Sequence, residues 1–548
     1  MFSLHDILGS KPDHPMFDVK EVRKLLADLP HNAPLKALDE ITAWLSSIKD
    51  ATGFRPEAHA DVIMLLDETG QPFCTRLLNQ YLAAPHLQDF QGIHLWQGMH
   101  DFMVALTEAY AVCAQEFQQP EKHPPHYQEQ MPLICVRLLR AVAEQMKLAL
   151  MRYMEVDPAI WQQMYQHYSF AQACRLANIT VVAYPAEGIA ISPQKELLRA
   201  LVLYISSPGT LAPDHIAAAH HIAIRLVNLF EFHEIWSTDC AYFIDLAQPE
   251  APRQVQEGLQ PTPTMRFFGT IKALPKVEDI IHQHEQKITG QEQHFSGEFT
   301  PDGKLTVLKH LRTYWGNIHP HRHHGHKDIM TTIDVVHGFM AIGQRATRID
   351  LKKLLNLSEE DAAMLQQRTE INLDQDDVTY PMETWEVLNV SSNGLGGILN
   401  KSVAWVKIGD LCGIKAKGSD EWWVGTIRRL KTDAHGQVHF GIEILTKKPL
   451  SVWLRSLGTG KGKQVELVSN WESSSGSFAY DYLPALLLPD SKNSYLNATL
   501  LLESGKFVMN QIHEVMVGEQ SRTIKLTALL AEGDDYEQAS LEWIDPVH

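Results

Sequence analysis

The sequence predicts a multidomain α+β protein: an all-α N-terminal region, then a small closed β-barrel, then a small C-terminal β-rich unit. Three observations predict this order. A chain of 548 residues exceeds what one hydrophobic core organises, so several domains are expected. Apolar residues recur at helical spacing through the N-terminal part and at a spacing of two further on. The later part also breaks its apolar runs with glycine-rich turns, the pattern of short paired strands.

Residues 1–235 read as helices that pack as a bundle or a solenoid-like stack. Leu139, Val142, Ala143, Met146 and Leu150 share one helix face, and Leu198, Leu201, Val202 and Ile205 share another. Ser192-Pro193 supplies a cap and a first-turn proline for the second of these runs. Breaks fall at Ser207-Pro208-Gly209 and Ala212-Pro213-Asp214. Such a region presents a surface for a protein partner rather than a catalytic centre.

Residues 236–315 form a mixed connecting region, with Thr300-Pro301-Asp302-Gly303-Lys304 read as a turn between short strands. Residues 316–468 switch to period two and are expected to form the barrel. Strands are predicted at Thr331–Val335, Trp385–Leu388, Ala404–Ile408, Trp423–Arg429 and Val438–Ile444. A helical insertion is expected at about 338–383, with Ser358 as a cap. Residues 469–548 form the C-terminal β-rich unit, with Tyr482–Leu488 and Thr499–Leu502 as strands and Ile524, Leu526 and Ala528 alternating with polar residues.

The formal net charge is −18, which argues against a nucleic-acid polymer as partner. The charge is uneven. Residues 401–470 hold twelve Lys/Arg against six Asp/Glu, a basic island suited to a local anionic ligand. The six cysteines lie far apart, mostly in apolar runs, and form no Cys-x-x-Cys pair, as expected of reduced, buried thiols. No apolar run reaches the length of a membrane span, so no membrane insertion is expected, and a cytoplasmic location follows. Gly-x-Ser-x-Gly and His-Glu-x-x-His are both missing, so the expectation is a protein that is not an enzyme and carries no cofactor.

The chemistry concentrates in Asn389-x-Ser391-x-x-Gly394, a turn following a strand. The amide offers donors and an acceptor, the hydroxyl offers one of each, and glycine lets a ligand approach the backbone. A second cluster precedes the first barrel strand: His319, His321, Arg322, His323, His324, His326 and Lys327. A metal site built on His321, His323 and His324 is the minor reading of that cluster, which lacks Glu and Cys.

Together these stretches resemble the PilZ domain, a small β-barrel that in many bacterial proteins binds cyclic di-GMP. Asn389, Ser391 and Gly394 match one of the family's two motifs in full. Val406-Lys-Ile-Gly409-Asp410, Trp423-Val-Gly425-Thr-Ile-Arg428-Arg429 and Phe440-Gly441-Ile442-Glu443 resemble its later strands. The other motif is a pair of arginines four residues apart before the first strand. Arg322 stands at the first position, and His326, with Lys327 beside it, stands at the second. The resemblance implies that Arg322, His326 and Lys327 meet the ligand's phosphates while Asn389, Ser391 and Gly394 hold a guanine edge. Arg345 and Arg348, in the insertion, are candidates for additional phosphate contacts. The resulting expectation is a cyclic di-GMP receptor that relays binding to a protein partner through its helical region. The departure at His326 keeps an alternative open: a scaffold with a degenerate barrel that binds no nucleotide.

Overall fold

The computed structural model describes residues 14–51, 53–83, 90–119, 124–286, 301–316, 327–348, 381–399, 405–457, 482–490, 497–517 and 520–544. The chain divides into two compact units, Met1–His323 with Lys431–His435, and His324–Leu430 with Gly436–His548.

The first unit is mainly helical. Its helices are α1 (Val19–Ala27), α2 (Pro34–Lys49), α3 (Pro56–Ala83), α4 (Phe90–Gln118), α5 (Pro125–Met151), α6 (Pro158–Ala173), α7 (Pro193–Ile205), α8 (Pro213–Leu226), α9 (Leu274–Glu285) and α10 (Pro301–Trp315). Prolines open most of them, where the missing N–H has no helical partner to lose. Ser192 caps α7 through the Lys195 N–H, as the sequence predicts. The short strands β1 (Val181–Val182) and β2 (Ala190–Ile191) pair as a small hairpin. Strands β3 (Glu231–His233), β4 (Tyr242–Asp245), β5 (Arg253–Gln254) and β6 (Met265–Gly269) form a four-stranded sheet.

One expectation fails in this region. Pro301–Lys304 is the first turn of α10 rather than a turn between strands. Val307, Leu308, Leu311 and Trp315 are buried at helical spacing, and Pro301 stands at the start of the helix, where a proline costs no hydrogen bond.

Two arginines of α5 fix the β1–β2 hairpin inside the helical unit. Arg137 donates from Nε and Nη2 to the Ala183 carbonyl at 3.0 and 2.8 Å, and from Nη2 to Glu68 at 2.6 Å. Its guanidinium lies 4.7 Å from the Tyr184 ring centre. Beside it, Asp67 is fully buried and accepts from Tyr110, Tyr184 and Gln71. Arg140 forms a fork on Glu196 at 3.1 and 3.3 Å and reaches Glu187 at 2.6 Å. Glu196 also pairs with Arg199.

The second unit holds two barrels. The first is closed in the order β10-β13-β12-β11-β7-β9. Its strands are β7 (Lys327–His337), β9 (Glu383–Val390), β10 (Gly394–Leu399), β11 (Leu411–Ala416), β12 (Trp422–Thr432) and β13 (Val438–Thr446); α11 (Phe339–Arg345) and β8 (Thr347–Arg348) follow β7 in the chain. Inside it, Trp385 stacks on Trp405 and tilts against Phe440, and Glu383 accepts both indole N–H groups.

The C-terminal sheet comprises β14 (Leu450–Leu457), β15 (Tyr482–Leu488), β16 (Thr499–Glu503), β17 (Ile512–Val517), β18 (Gln520–Glu532) and β19 (Tyr536–Trp543). The β14–β15 pairing closes these strands into a second ring, with β8 parallel to β14 at its edge. Val336, Phe339, Ile342, Leu411 and Val424 of the first barrel region pack on Leu486, Leu488, Leu501 and Tyr536 of the second. The expected boundary at 468 thus falls beyond β14, a strand that pairs with β15 and β17.

One more expectation differs from the structure. Trp405–Asp410 is a turn, not a strand: the Asp410 carboxylate accepts the Lys407 N–H at 3.0 Å, and Gly409 has φ +95°. Within the expected insertion the described residues are α11 and β8, while Ser358 lies outside the described residues.

Asp410 carries a consequence for pH. Burial, then the nearby Asp534 carboxylate, push its carboxyl up to about 8. The folded state therefore holds a proton that the unfolded chain releases near pH 4, so this residue's stabilising contribution is full below about pH 4 and lost as pH rises through about 8. Asp410→Asn keeps the carbonyl acceptor for Lys407 and stays neutral. It is expected to raise stability at pH 8 and to flatten the decline between pH 4 and 8 in thermal unfolding scans. An unchanged slope would refute the assignment.

Candidate functional site

The Asn-x-Ser-x-x-Gly turn connects β9 to β10. The Ser391 N–H donates to the Gly394 carbonyl at 2.8 Å, and the Ser391 hydroxyl donates to the same oxygen at 3.3 Å. The Ile444 N–H donates to the Asn393 carbonyl at 2.9 Å, tying the turn to β13. Ser391 is partly buried and Ser392 is exposed, so the rim faces outward.

The register around the turn explains where Asn389 points. Gly396 pairs with Asn389, but Gly397 pairs with Val387, leaving Leu388 as a bulged residue. The bulge reverses the alternation of side chains. Trp385 and Val387 face the barrel core, whereas the Asn389 side chain lies against Gly396 on the outside. A Cβ on Gly396 would sit 2.6 Å from Asn389 Oδ1, so only glycine permits this placement. Gly397 is constrained more tightly still, since a Cβ there would meet the Glu386 carbonyl oxygen, a backbone atom, at 2.0 Å.

Strand β7 runs beside the same turn. Lys327 pairs with Val390 and Asp328 with Asn389, followed by a second irregularity before Thr331 pairs with Val387. The start of β7 and the end of β9 are therefore neighbours. Asp328 is exposed at the Asn389 position, which puts a carboxylate and an amide side by side. Both accept hydrogen bonds from an N–H edge such as that of guanine.

The outward strip continues across the barrel. Gly396 pairs with Gly441 of β13, whose neighbours Phe440 and Ile442 are buried, so Gly441 also faces out. Gly394 pairs with Glu443. Beyond β13, the exposed Arg428 and Arg429 of β12 border the strip, and Arg428 Nε donates to Glu443 at 2.7 Å.

The remaining sequence candidates fall as follows. Arg322 and His326 lie outside the described residues, as do His319, His321, His323 and His324. Lys327 is placed by its backbone as the first residue of β7. Arg345, at the end of α11, lies over the Trp422 ring at 5.6 Å and donates to the Ala341 carbonyl at 3.1 Å. The backbone of Arg348 pairs with Ser451. Sequence reading missed Asp328, Gly396, Gly441 and Arg429 as members of one strip. The available signal was weak: glycines at alternate strand positions and an Arg-Arg pair, which meet only when the register is known.

All six cysteines are free thiols, five of them buried. Among the described residues no group of three or more His, Cys, Asp or Glu is arranged to hold a metal ion. Among the described residues, no helix is long and apolar enough to cross a membrane.

Two family models match the chain. Residues 20–237 match the N-terminal domain of the cyclic-di-GMP receptor FimW. Residues 473–544 match the FimW C-terminal β-barrel domain. No curated protein and no solved structure matches. The two models describe one family, lie in order along the chain and together cover just over half of it. The chain belongs to this family, one of receptors rather than enzymes.

Proposed function

We propose that the chain is a cytoplasmic cyclic di-GMP receptor whose first barrel takes the nucleotide on its outer face and whose helical region passes the signal to a protein partner. The family description supports the ligand. The resemblance of the first barrel to PilZ domains, a stretch between the two matched regions, supports the site. The observation that carries the reading is the register of β7 on β9, which sets Lys327 and Asp328 opposite Val390 and Asn389.

Chain connectivity does the rest. Arg322 stands five residues before Lys327, and five extended residues span at most about 17 Å. Its guanidinium can then grip a phosphate as a planar fork while Asn389, Ser391 and the Gly394 backbone hold a guanine edge. His326 stacks on a base, and Lys327 adds charge. Arg345 and Arg348 are not needed for this arrangement. The segment ahead of β7 is also the covalent link from α10, so a ligand that engages it alters the link between the helical unit and the barrel.

Hydrogen exchange of the full chain tests the location. Saturating cyclic di-GMP is expected to slow exchange in residues 319–331 and 385–397. Protection confined to other segments contradicts the site.

A further inference from the structure

The outer strip of the first barrel has two edges, and the proposed receptor site uses only one. Its near edge carries Asn389 and Ser391. Its floor is almost without side chains: Gly394 and Gly396 on β10 and Gly441 on β13 all face outward. Its far edge is cationic. A Cβ on Gly441 would lie 3.3 Å from the Arg429 Cβ, so Arg429 rises from the same face directly beside the glycine. Arg428 stands next to it and is held by Glu443, the residue paired with Gly394. Both ions of that pair are about half exposed, at 47% for Arg428 and 50% for Glu443. Among the described residues, no ion pair involves Arg429, which is exposed.

The glycines keep the strip low: the Asn389 amide lies over Gly396, and neither Gly394 nor Gly441 raises a side chain between that amide and the arginines. From β9 across β10 and β13 to β12 are three strand spacings of about 4.8 Å, or about 14 Å, on the scale of a dinucleotide. An amide and a hydroxyl at one side suit a base; two guanidinium groups at the other suit a phosphate. Glu443 stands between them as a like-charged obstacle to that phosphate and a competitor for Arg428.

We infer that Arg429, with Arg428 held in reserve by Glu443, forms a phosphate-binding edge of the cyclic dinucleotide site. This rests on the receptor reading above. It assigns to β12 the second arginine fork that position 326 does not supply. Glu443 then acts as a guard that lowers affinity: its carboxylate must be desolvated and displaced before Arg428 can turn to the ligand.

Calorimetric titration of the full chain with cyclic di-GMP tests this. Arg429→Ala is expected to weaken binding about tenfold and to make it less sensitive to salt, because one screened charge contact is lost. Arg429→Lys is expected to recover part of the loss, by charge without the fork. Glu443→Gln is expected to tighten binding severalfold, since it removes repulsion and frees Arg428. Both positions are exposed, and unchanged circular dichroism checks that the barrel is intact. If Ser391→Ala weakens binding while Arg429→Ala and Glu443→Gln leave it unchanged, the inference falls and the receptor reading stands. If the unmodified chain binds no cyclic di-GMP, both fall.

Discussion

Arg322→Ala is expected to weaken cyclic di-GMP binding by about 10- to 100-fold. A charge-assisted contact to phosphate contributes roughly 1.5–3 kcal/mol, and each 1.4 kcal/mol is tenfold in affinity. Ser391→Ala removes one neutral hydroxyl contact and is expected to cost about 0.5–1.5 kcal/mol, a few-fold to about tenfold. His326→Arg runs the other way. It adds a permanently charged fork where a mostly neutral imidazole stands, and is expected to tighten binding by about tenfold. Calorimetric titration of each variant reads all three. The order of effects is the informative part: equal losses at Arg322 and Ser391 would contradict a charge-dominated contact at the first and a base-edge contact at the second.

Arg137→Met is expected to destabilise the helical unit by about 3–5 kcal/mol. Removing one partner of a buried ion pair leaves the rest of the network without compensation, and the loss exceeds what the pair itself contributes. Here the loss is spread over several groups. The Ala183 carbonyl loses two donors, Glu68 loses a contact of 2.6 Å, and Asp67, fully buried, loses its nearby guanidinium. Burial already raises the Asp67 carboxyl above its ordinary range against the pull of Arg137, so without Arg137 it is expected to bind a proton more readily. Denaturant unfolding followed by far-ultraviolet circular dichroism reads the effect in the transition that carries the helical signal. A shift below about 1 kcal/mol would show that the hairpin holds without this clasp.

The second prediction marks a limit of sequence reading. Helices α5 and α7 are legible, because their apolar residues fall at helical spacing and Ser192 caps as such a residue should. Their charges are not. Arg137, Arg140, Glu196 and Arg199 are all buried, and two of their ion pairs, Arg137 with Glu68 and Arg140 with Glu196, join helices that lie far apart in sequence. Partners at such separations leave no local trace. The same holds for β14, which follows β13 after a short turn but pairs with β15 and β17.

The site shows the same division. Asn389, Ser391 and Gly394 are legible because all three fall within one short stretch of sequence around a single turn. The bulge at Gly396 and Gly397, which turns Asn389 from the core to the outer face, is not legible as a bulge, since two adjacent glycines in a strand also read as a plain turn. The far edge at Arg428 and Arg429 emerges only from strand order: about forty residues separate it from Asn389 in sequence, while in the barrel only β10 and β13 lie between β9 and β12. Gly303 misled in the opposite direction, since its neighbour Pro301 opens a helix.

The most direct test of the central claim is calorimetric titration of the full chain with cyclic di-GMP. The account predicts saturable binding that Arg322→Ala weakens by tenfold or more. Heat indistinguishable from dilution at several hundred micromolar ligand, or an affinity that Arg322→Ala leaves unchanged, would contradict it.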